Sequence, residues 1–480
     1  MKSTLRVLLC AASLGSVLGA EVFYVDPVNG TPAGDGSPGN PWRTIEEVIA
    51  GDLIETRDWE EHPYVPGLAL IPVNPGAPVG AGDRLLLRTG YHGEIFLRGA
   101  YNLAPITIAA QAGHTPRVSK LTVSAAQHWV LRGLSISPAH ATPPLDTGLI
   151  VDVENHNWFG PSWDVTVEDC DIFSVNDASG WTAQQWVDLP ASGIDVSGDR
   201  VTILDNVVRN VRFGISVGGD DARILRNLVS DFSADGLRGL GDRGLFEGNR
   251  VQNNYVDGPI DGNHDDGFQS WSVGPGGVGT GEVRDVVLRG NVFVNHVNPA
   301  HPLRASMQAI GCFDGRFVNW VVENNVIVTD HWHGISLYGA DNARILNNTV
   351  IDLDAASPGP PWIMLNEHDG VPSTNSLVRN NIATDYALDG TGHTIDHNLE
   401  ISNPPPAGFF VAPPFDLHLA PGSPAVNAGI ATGAPIRDLE GVRRPQGPAH
   451  DLGAYERCPL CLFTDGFETG DSDAWSSTSG

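Results

Sequence analysis

A short pattern that ends in asparagine recurs along most of this chain. Apolar and polar residues alternate before each asparagine, as in Val201-Thr-Ile-Leu-Asp-Asn206 and Ala222-Arg-Ile-Leu-Arg-Asn227. The successive intervals are 21, 22, 42, 34, 23 and 33 residues, and the asparagines are Asn206, Asn227, Asn249, Asn291, Asn325, Asn348 and Asn381. We interpret the interval of 42 as two periods, and the intervals of 34 and 33 as one period with an inserted loop.

A repeat of this length indicates a solenoid, in which each unit buries its apolar face against its neighbours. Alternating apolar and polar residues indicate strands, and the β-branched residues agree. The sequence therefore predicts an all-β fold, a right-handed parallel β-helix solenoid. Equivalent residues of successive coils stack about 4.8 Å apart in such a fold. The asparagines then form a structural ladder of side-chain amides.

Each coil contains a second strand that begins with glycine, as in Gly193-Ile-Asp-Val and Gly214-Ile-Ser-Val. Because side chains alternate along a strand, the residue before this glycine and the second and fourth residues after it face away from the core. Stacking the coils predicts three outward columns. The first contains Phe213, Asp235, Asp266, Gln308 and His333; the second Ser216, Arg238, Gln269, Gly311 and Ser336; the third Gly218, Leu240, Trp271, Phe313 and Tyr338.

The two ends of the chain depart from the repeat. Lys2 and Arg6 precede a short apolar run, which predicts a cleaved signal peptide and a secreted or cell-surface protein. Thr44-Ile-Glu-Glu47 has the form of a capping box and predicts a helix that covers the first coil. The predicted organisation is a signal peptide over 1–20, an N-terminal cap and first coils over 21–100, β-helix repeats over 101–400, a closing segment over 401–456, and an acidic, Ser-rich tail over 457–480 that is a candidate sorting or anchor signal.

The charge of the chain restricts its partners. The sequence has 57 acidic and 28 basic residues, and removal of Lys2 and Arg6 with the leader leaves a net charge of −31. Such a chain repels nucleic acid. It also repels an anionic polysaccharide unless a cation or a local arginine intervenes. Beyond the leader, no segment has the apolar length that predicts a transmembrane span. We take a monomer as the default oligomeric state.

Several segments resemble secreted proteins of the pectate lyase-like superfamily. Tyr24-Val-Asp-Pro-Val-Asn-Gly30 and Pro41-Trp-Arg-Thr-Ile45 resemble their opening segment. Pro421-Gly-Ser-Pro-Ala-Val-Asn-Ala-Gly429, with Asp451-Leu-Gly-Ala-Tyr-Glu456, is similar to the closing segment of exported bacterial β-helix proteins with C-terminal anchors. The resemblance implies the fold and export. Because the superfamily contains lyases, hydrolases, tailspikes and adhesins, it leaves the reaction open.

The outward columns contain the candidate site. The segment Asp261–Trp271 has more acidic and imidazole groups than a turn needs. Aromatic rings pack against sugar faces, and nearby polar groups bind hydroxyls. The candidate catalytic residues are Asp235, Arg238, Asp266, His333 and Tyr338. The candidate substrate-binding residues are His264, Gln269, Trp271, Gln308 and Phe313.

The preferred function is cleavage of an extracellular, uronic acid-containing polysaccharide by Ca²⁺-assisted β-elimination. Asp235, Asp265 and Asp266 supply the oxygen ligands that Ca²⁺ prefers, and the cation would offset the negative charge of the chain. Arg238 or His333 would remove the C5 proton, and Tyr338 would protonate the leaving oxygen. His333 is the better base because arginine holds its proton strongly.

Two alternatives stay open. Asp235 and Asp266 occupy one column about 5 Å apart, which resembles the paired carboxylates of polygalacturonase-type glycoside hydrolases. The chain departs from that pattern, because Ser-Ala precedes Asp235 where the family has Asn-Thr, and no Arg-Ile-Lys motif follows. The second alternative is a surface adhesin or glycan-binding protein without turnover, for which outward aromatic residues are sufficient.

Overall fold

The chain forms a parallel β-helix, as the asparagine repeat predicts. The computed structural model describes residues 20–256, 260, 262–356 and 358–458. The predicted signal peptide and the predicted C-terminal tail lie outside these residues, except for residues 20, 457 and 458. Three long sheets form the walls of the solenoid, and nearly all of their strand pairs are parallel.

The front sheet contains the glycine-led strands, and the second sheet follows it in every coil. Ile95–Ala110 and Leu121–Arg132 are long enough to run through both sheets. The other front strands are Leu149–Glu154, Ser192–Val196, Ile215–Val217, Leu237–Gly239, Asp266–Trp271, Gln308–Asp314, His333–Tyr338, Trp362–Asn366 and Asp385–Leu388. The other second-sheet strands are Val22–Val25, Arg84–Leu87, Trp163–Glu168, Thr202–Leu204, Arg223–Leu225, Leu245–Glu247, Val287–Arg289, Val321–Glu323, Arg344–Leu346, Leu377–Arg379 and Thr394–Asp396.

The third sheet closes each coil and is built from short strands. They are Gly90–Tyr91, Pro116–Val118, Ser135–Ile136, Asp171–Phe173, Val207–Val211, Leu228–Phe232, Arg250–Asn254, Val292–Val294, Val326–Val328, Thr349–Ile351, Ile382–Ala383 and Leu399–Glu400. Inward side chains of the three sheets stack in columns and fill the interior. In the second sheet one such column is Ile203, Ile224, Phe246, Leu288, Val322, Ile345 and Val378, all of them buried.

The predicted asparagine ladder lies at the corner between the second and third sheets. Each side-chain Nδ2 donates to Oδ1 of the asparagine one coil further on, at 2.9–3.1 Å. The ladder continues beyond Asn381 to Asn398, which the repeat analysis did not include. From Asn227 onward each Oδ1 also accepts from the backbone N–H of the preceding asparagine, and Asn206 Oδ1 accepts from that of Cys170, so the amides connect neighbouring coils.

The interpretation of the interval of 42 residues as two coils is wrong. Asn249 donates directly to Oδ1 of Asn291, and Leu245–Glu247 pairs with Val287–Arg289. The interval is therefore one coil that contains a long insertion. The front strand of this coil is Asp266–Trp271, and the added residues include a hairpin of Val273–Gly274 with Gly277–Val278.

The N-terminal cap contains the predicted helix but only half of the predicted capping box. Helix α1, Ile45–Ala50, buries Ile45 and Val48 over the first coil, and the Thr44 hydroxyl accepts from the Glu47 backbone N–H. The other half of the capping box is absent, because the Glu47 carboxylate binds Arg43 instead. A hairpin of Thr56–Trp59 with Leu70–Val73 follows the helix.

The closing segment lies along the side of the solenoid. Phe410–Ala412 and Asp416–Leu419 form an antiparallel hairpin, and Phe409, Leu417 and Leu452 pack on the outer face of the third sheet. Arg444 is fully buried there and pairs with Glu456 at 3.1 Å.

The remaining elements lie at corners of the coils. Helix α2, Ala183–Asp188, has a complete capping box of Thr182 and Gln185. A 3-10 turn covers Pro138–His140, and Glu282–Arg284 pairs with Arg316–Val318. Within the described residues, none of the helices has the length and apolar character that a membrane span requires.

Candidate functional site

The front sheet brings together the columns that the glycine-led strands predict. Asp266 pairs with Gln308 in the first column, and its backbone N–H donates to Oδ1 of Asp235 at 3.1 Å. In the second column Arg238 pairs with Gln269, Gln269 with Gly311, and Gly311 with Ser336. A register shift between Gln269 and Trp271 breaks the regular alternation in the third column.

The two paired carboxylates are buried. Asp235 is 1% exposed and Asp266 is 0% exposed. Alternation predicts that these side chains point away from the core, and their partners explain why they are nevertheless shielded from water. Arg238 covers Asp235, and His264 and Gln269 cover Asp266. The expected display of the carboxylates on an open face is therefore wrong, and the groups that a ligand meets first are their partners.

Arg238 links the carboxylate of Asp235 to an aromatic surface. Its Nη2 and Nε both lie 2.5 Å from Asp235 Oδ2. The guanidinium carbon is 3.9 Å from the centre of the Phe213 ring and 5.4 Å from that of the Trp271 ring. Stacking on aromatic faces and pairing with a carboxylate both hold the positive charge of arginine in place.

Asp266 and His264 form a second pair. Asp266 Oδ2 lies 2.8 Å from His264 Nδ1 and accepts from Gln269 Nε2 at 3.2 Å. Burial raises the pKa of Asp266 to about 8, with the nearby Asp235 carboxylate adding to the shift and His264 opposing it. The hydrogen bond to Asp266 raises the pKa of His264. Burial also raises the pKa of Asp235, against the effect of Arg238.

Gly311 leaves the space that the Asp266 carboxyl occupies. A methyl group at this glycine would overlap Asp266 Oδ1 and would lie 3.0 Å from Gln308 Oε1. Both oxygens are buried and have no hydrogen-bond partner within the described part of the chain. A proton on Asp266 Oδ1 would let it donate toward the Gln308 carbonyl. The geometry therefore agrees with a raised pKa for this carboxyl.

A histidine lies further along the same face. His333 Nδ1 is 2.8 Å from Ser336 Oγ, and the Trp362 indole N–H is 3.3 Å from both of these atoms. Burial, together with the positive charge of His264, lowers the pKa of His333 to about 4. The imidazole is thus neutral at physiological pH. Within the part of the chain that the structure covers, its Nε2 has no hydrogen-bond partner.

Phe313 connects the two halves of the site. The centre of its ring lies 4.8 Å from that of His333, 5.2 Å from that of Tyr338 and 6.3 Å from that of His264. The structure thus gathers every predicted catalytic and substrate-binding residue on one face. Trp362 and His331 belong to the same cluster, and the sequence analysis did not include them in the site. Extending the first column by one coil would have found Trp362, which pairs with His333.

The predicted Ca²⁺ ligands do not form a cage. Among the described residues there is no group of three or more histidine, cysteine or acidic side chains arranged to hold a metal ion. Asp235 is engaged by Arg238 and Asp266 by His264, while Asp265 Oδ1 accepts from Asn263. The three carboxylates therefore do not fit the expected calcium site in this arrangement.

Comparisons with known proteins support the fold. The family described as the right handed beta helix region matches residues 192–356. No curated protein matches the chain in sequence. A solved structure of pectate lyase Pel9A is 14% identical with a TM-score of 0.45 and covers 92% of this chain and 98% of its own.

Two further solved structures show a weaker likeness. A rhamnogalacturonan lyase is 12% identical with a TM-score of 0.36, over 82% of this chain and 91% of its own. A lacto-N-biosidase from Eubacterium ramulus is 13% identical with a TM-score of 0.38, over 77% of this chain and 68% of its own.

Proposed function

We propose that this protein is an exported, carbohydrate-active enzyme that cleaves a uronic acid-containing polysaccharide by β-elimination on its front sheet. One observation carries the proposal: a neutral imidazole, His333, lies on the same face as the positive charge of Arg238, with aromatic rings between them. A base, a counter-charge for a carboxylate and a surface for sugar rings are the three requirements of this reaction.

In this reaction a base removes the proton at C5 of the uronate. The electrons of that C–H bond form the C4=C5 double bond, the C4–O bond breaks, and the leaving oxygen takes up a proton. We assign proton removal to His333 and proton donation to Tyr338, which lie on either side of Phe313. Arg238 would neutralise the uronate carboxylate and so make the C5 proton more acidic. Trp271 and Phe313 would pack against the sugar rings.

The base role requires one tautomer of His333. If Nδ1–H donates to Ser336 Oγ, the lone pair of Nε2 is free to accept the C5 proton. The Trp362 indole can then donate to the same hydroxyl. Ser336 is in this scheme a positioning residue that acts through the imidazole.

A glycoside hydrolase is the second candidate, because Asp235 and Asp266 are neighbours in one column of the front sheet. A carboxyl with a pKa of about 8 is protonated at neutral pH and can act as a general acid. The burial of both carboxyls speaks against this function, since a general acid must touch the glycosidic oxygen.

The test uses the secreted protein and a panel of polyuronates. β-Elimination creates an unsaturated uronate that absorbs ultraviolet light, whereas hydrolysis creates reducing ends without this absorbance. We expect ultraviolet-absorbing products, and we expect His333→Ala to reduce their rate at least about 100-fold. His397→Ala is the matched control, because that histidine is exposed and lies outside the front sheet.

The other outcomes each point elsewhere. Reducing ends without absorbance, abolished by Asp266→Asn, would replace the lyase by the hydrolase. Polymer binding without either product, unchanged in the His333 variant, would identify a glycan-binding protein. Activity that persists in chelator supports Arg238 as the group that neutralises the uronate carboxylate. Activity that chelator removes and Ca²⁺ restores would assign this neutralisation to the predicted metal instead.

A further inference from the structure

A second cavity lies beside the front sheet and shares none of the residues of the site above. It has a volume of about 270 Å³ and is formed where the chain passes from the third sheet to the front sheet. Three separate insertions build it, namely the segment that contains helix α2, the residues Tyr255 and Val256, and the loop around His301 and Leu303. Its size is near the lower end of small-molecule sites, about 300–1,000 Å³.

Aromatic rings form one wall of this cavity. The rings of Trp186 and Tyr255 are stacked, with centres 4.4 Å apart and an angle of 7° between their planes. Trp181 meets Trp186 edge-on at 5.0 Å, and His301 meets Tyr255 edge-on at 5.0 Å. Trp186 is buried, whereas Trp181, Tyr255 and His301 keep part of their surface exposed. The buried ring of Trp186 therefore supports the aromatic wall, and the partly exposed rings are accessible to a ligand.

The rest of the lining is largely polar and offers acceptors. Asp231 Oδ1 accepts from the Tyr255 hydroxyl and from Asn253 Nδ2, each at 3.1 Å, which fixes the carboxylate. Its Oδ2 has no partner among the described residues. Asp177 is exposed at the rim, where hydrogen bonds from Ser179 lower its pKa and keep it ionised.

The only arginine that lines the cavity within the described residues is already neutralised. Arg209 binds Asp171 with two hydrogen bonds of 3.0 and 2.9 Å, and a third to the Asn176 carbonyl uses Nη1. Burial lowers the pKa of the adjacent His296 to about 4, so this imidazole adds no positive charge. Within the described residues, the lining thus carries two carboxylates that form no ion pair, and its one arginine already binds another carboxylate.

We infer that this cavity is a second sugar-binding site, specific for a neutral sugar residue. The partly exposed aromatic rings suit the apolar C–H groups of a sugar ring, and the two carboxylates accept hydrogen bonds from hydroxyl groups. A uronate is excluded because its carboxylate would face Asp231 and Asp177 without a counter-ion.

The position of the cavity suggests what it is for. Ser233, two residues before Asp235, donates its hydroxyl hydrogen to the Trp186 carbonyl at 2.6 Å, so the cavity wall is bonded to a coil of the front sheet. A neutral branch of an acidic polymer would reach the cavity while its backbone lies across the front sheet. This role in branch recognition rests on the proposed function, whereas the binding of a free neutral sugar does not.

The experiment measures binding of free methyl glycosides to the full-length secreted protein by saturation-transfer NMR. The probes are the methyl glycosides of galactose, glucose, xylose and arabinose, with methyl galacturonide as the charged counterpart. We expect at least one neutral glycoside to bind and the galacturonide not to bind. Asp231→Asn keeps the acceptor for Tyr255 but loses the charge, and Trp181→Ala removes the exposed ring. Each should weaken binding about tenfold.

Trp158→Ala is the control, because Trp158 is an exposed tryptophan that lies outside the cavity. It should bind the glycoside as the parent protein does, and all three variants should unfold at the same temperature. The inference is overturned if no neutral glycoside binds, if the galacturonide binds equally well, or if both cavity variants bind like the parent. None of these results depends on polymer cleavage. The experiment can therefore overturn the sugar-binding site without affecting the proposed enzyme activity, and loss of the proposed activity would not overturn the sugar-binding site.

Discussion

At the scale of single residues, burial decides what Asp266 can do. The side chain lies in the space that Gly311 leaves, and water does not reach it. Burial of a carboxyl favours its neutral form. The hydrogen-bond pattern agrees. A proton on Asp266 Oδ1 would let this atom donate to the Gln308 carbonyl, and without that proton it has no hydrogen-bond partner among the described residues. Position in the sequence places this residue in a column, but its protonation depends on neighbours from three separate coils.

The protonation of Asp266 should be visible in the stability of the protein. The pKa rises from 3.8 to about 8 on folding. Between these values the folded state keeps a proton that the unfolded chain releases, so this contribution to stability is complete below pH 3.8 and is lost as the pH rises through about 8. Asp266→Asn cannot titrate and can still donate to Gln308. We expect the variant to gain at least about 1 kcal/mol relative to the parent between pH 5 and pH 8.

The measurement is urea unfolding at both pH values. Asp152, Asp330 and Asp352, whose pKa values burial also raises, titrate in both proteins and so cancel in the difference. Parallel pH curves for parent and variant would mean that Asp266 is ionised in the folded state at neutral pH.

At the scale of the repeated element, the asparagine ladder determines the register of the coils. Each amide uses both its hydrogens and its oxygen, as Asn249 does with Ile224, Asn291 and the backbone N–H of Asn227. Replacement by alanine leaves several buried polar groups without partners, each of which costs about 1–3 kcal/mol. We expect Asn249→Ala to reduce the free energy of unfolding by about 3 kcal/mol or more.

Chemical denaturation of Asn249→Ala and Asn40→Ala tests this. Asn40 is exposed in a turn, so its loss should change stability by less than about 0.5 kcal/mol. Equal effects of the two substitutions would show that the ladder contributes little to stability.

The elements also show where sequence reasoning succeeds and where it stops. The strands, the asparagine ladder, the cap helix and the pairing of Asp235 with Asp266 follow from periodicity, because side-chain direction alternates strictly along a strand. The interval between Asn249 and Asn291 is one coil, not the predicted two. The length of the interval fits two coils and one coil with an insertion equally well, so the sequence does not distinguish them. The burial of Asp266 depends on His264 and Gln269, whose side-chain conformations no periodicity specifies.

At the scale of the whole molecule, charge opposes the substrate that the front sheet is proposed to bind. The sequence has a net charge of −29. A polyuronate therefore approaches against a repulsive field, and salt shortens the range of that field from about 30 Å at 0.01 M to about 10 Å at 0.1 M. The favourable contact with Arg238 is local and partly buried, so it is screened much less.

Salt should therefore improve the use of an acidic polymer. We expect KM for a polyuronate to fall about two- to fivefold when NaCl is raised from about 0.01 to about 0.15 M, with kcat nearly constant. Initial rates over a range of polymer concentrations measure both constants. Binding of a neutral methyl glycoside is the internal control, because it should not respond to salt. A KM that rises with salt would show that attraction to basic residues outweighs the overall charge.

Asn249 and Asn291 are 42 residues apart in the sequence but are hydrogen-bonded neighbours in the ladder. Any number of residues can be added between two such asparagines while the asparagines themselves stay hydrogen-bonded. The insertions that follow Asn249 and Asn291 leave and rejoin the solenoid in this way. Descendants of this chain could therefore exchange whole loops beside the front sheet without altering the sheet surface on which we propose that the reaction takes place.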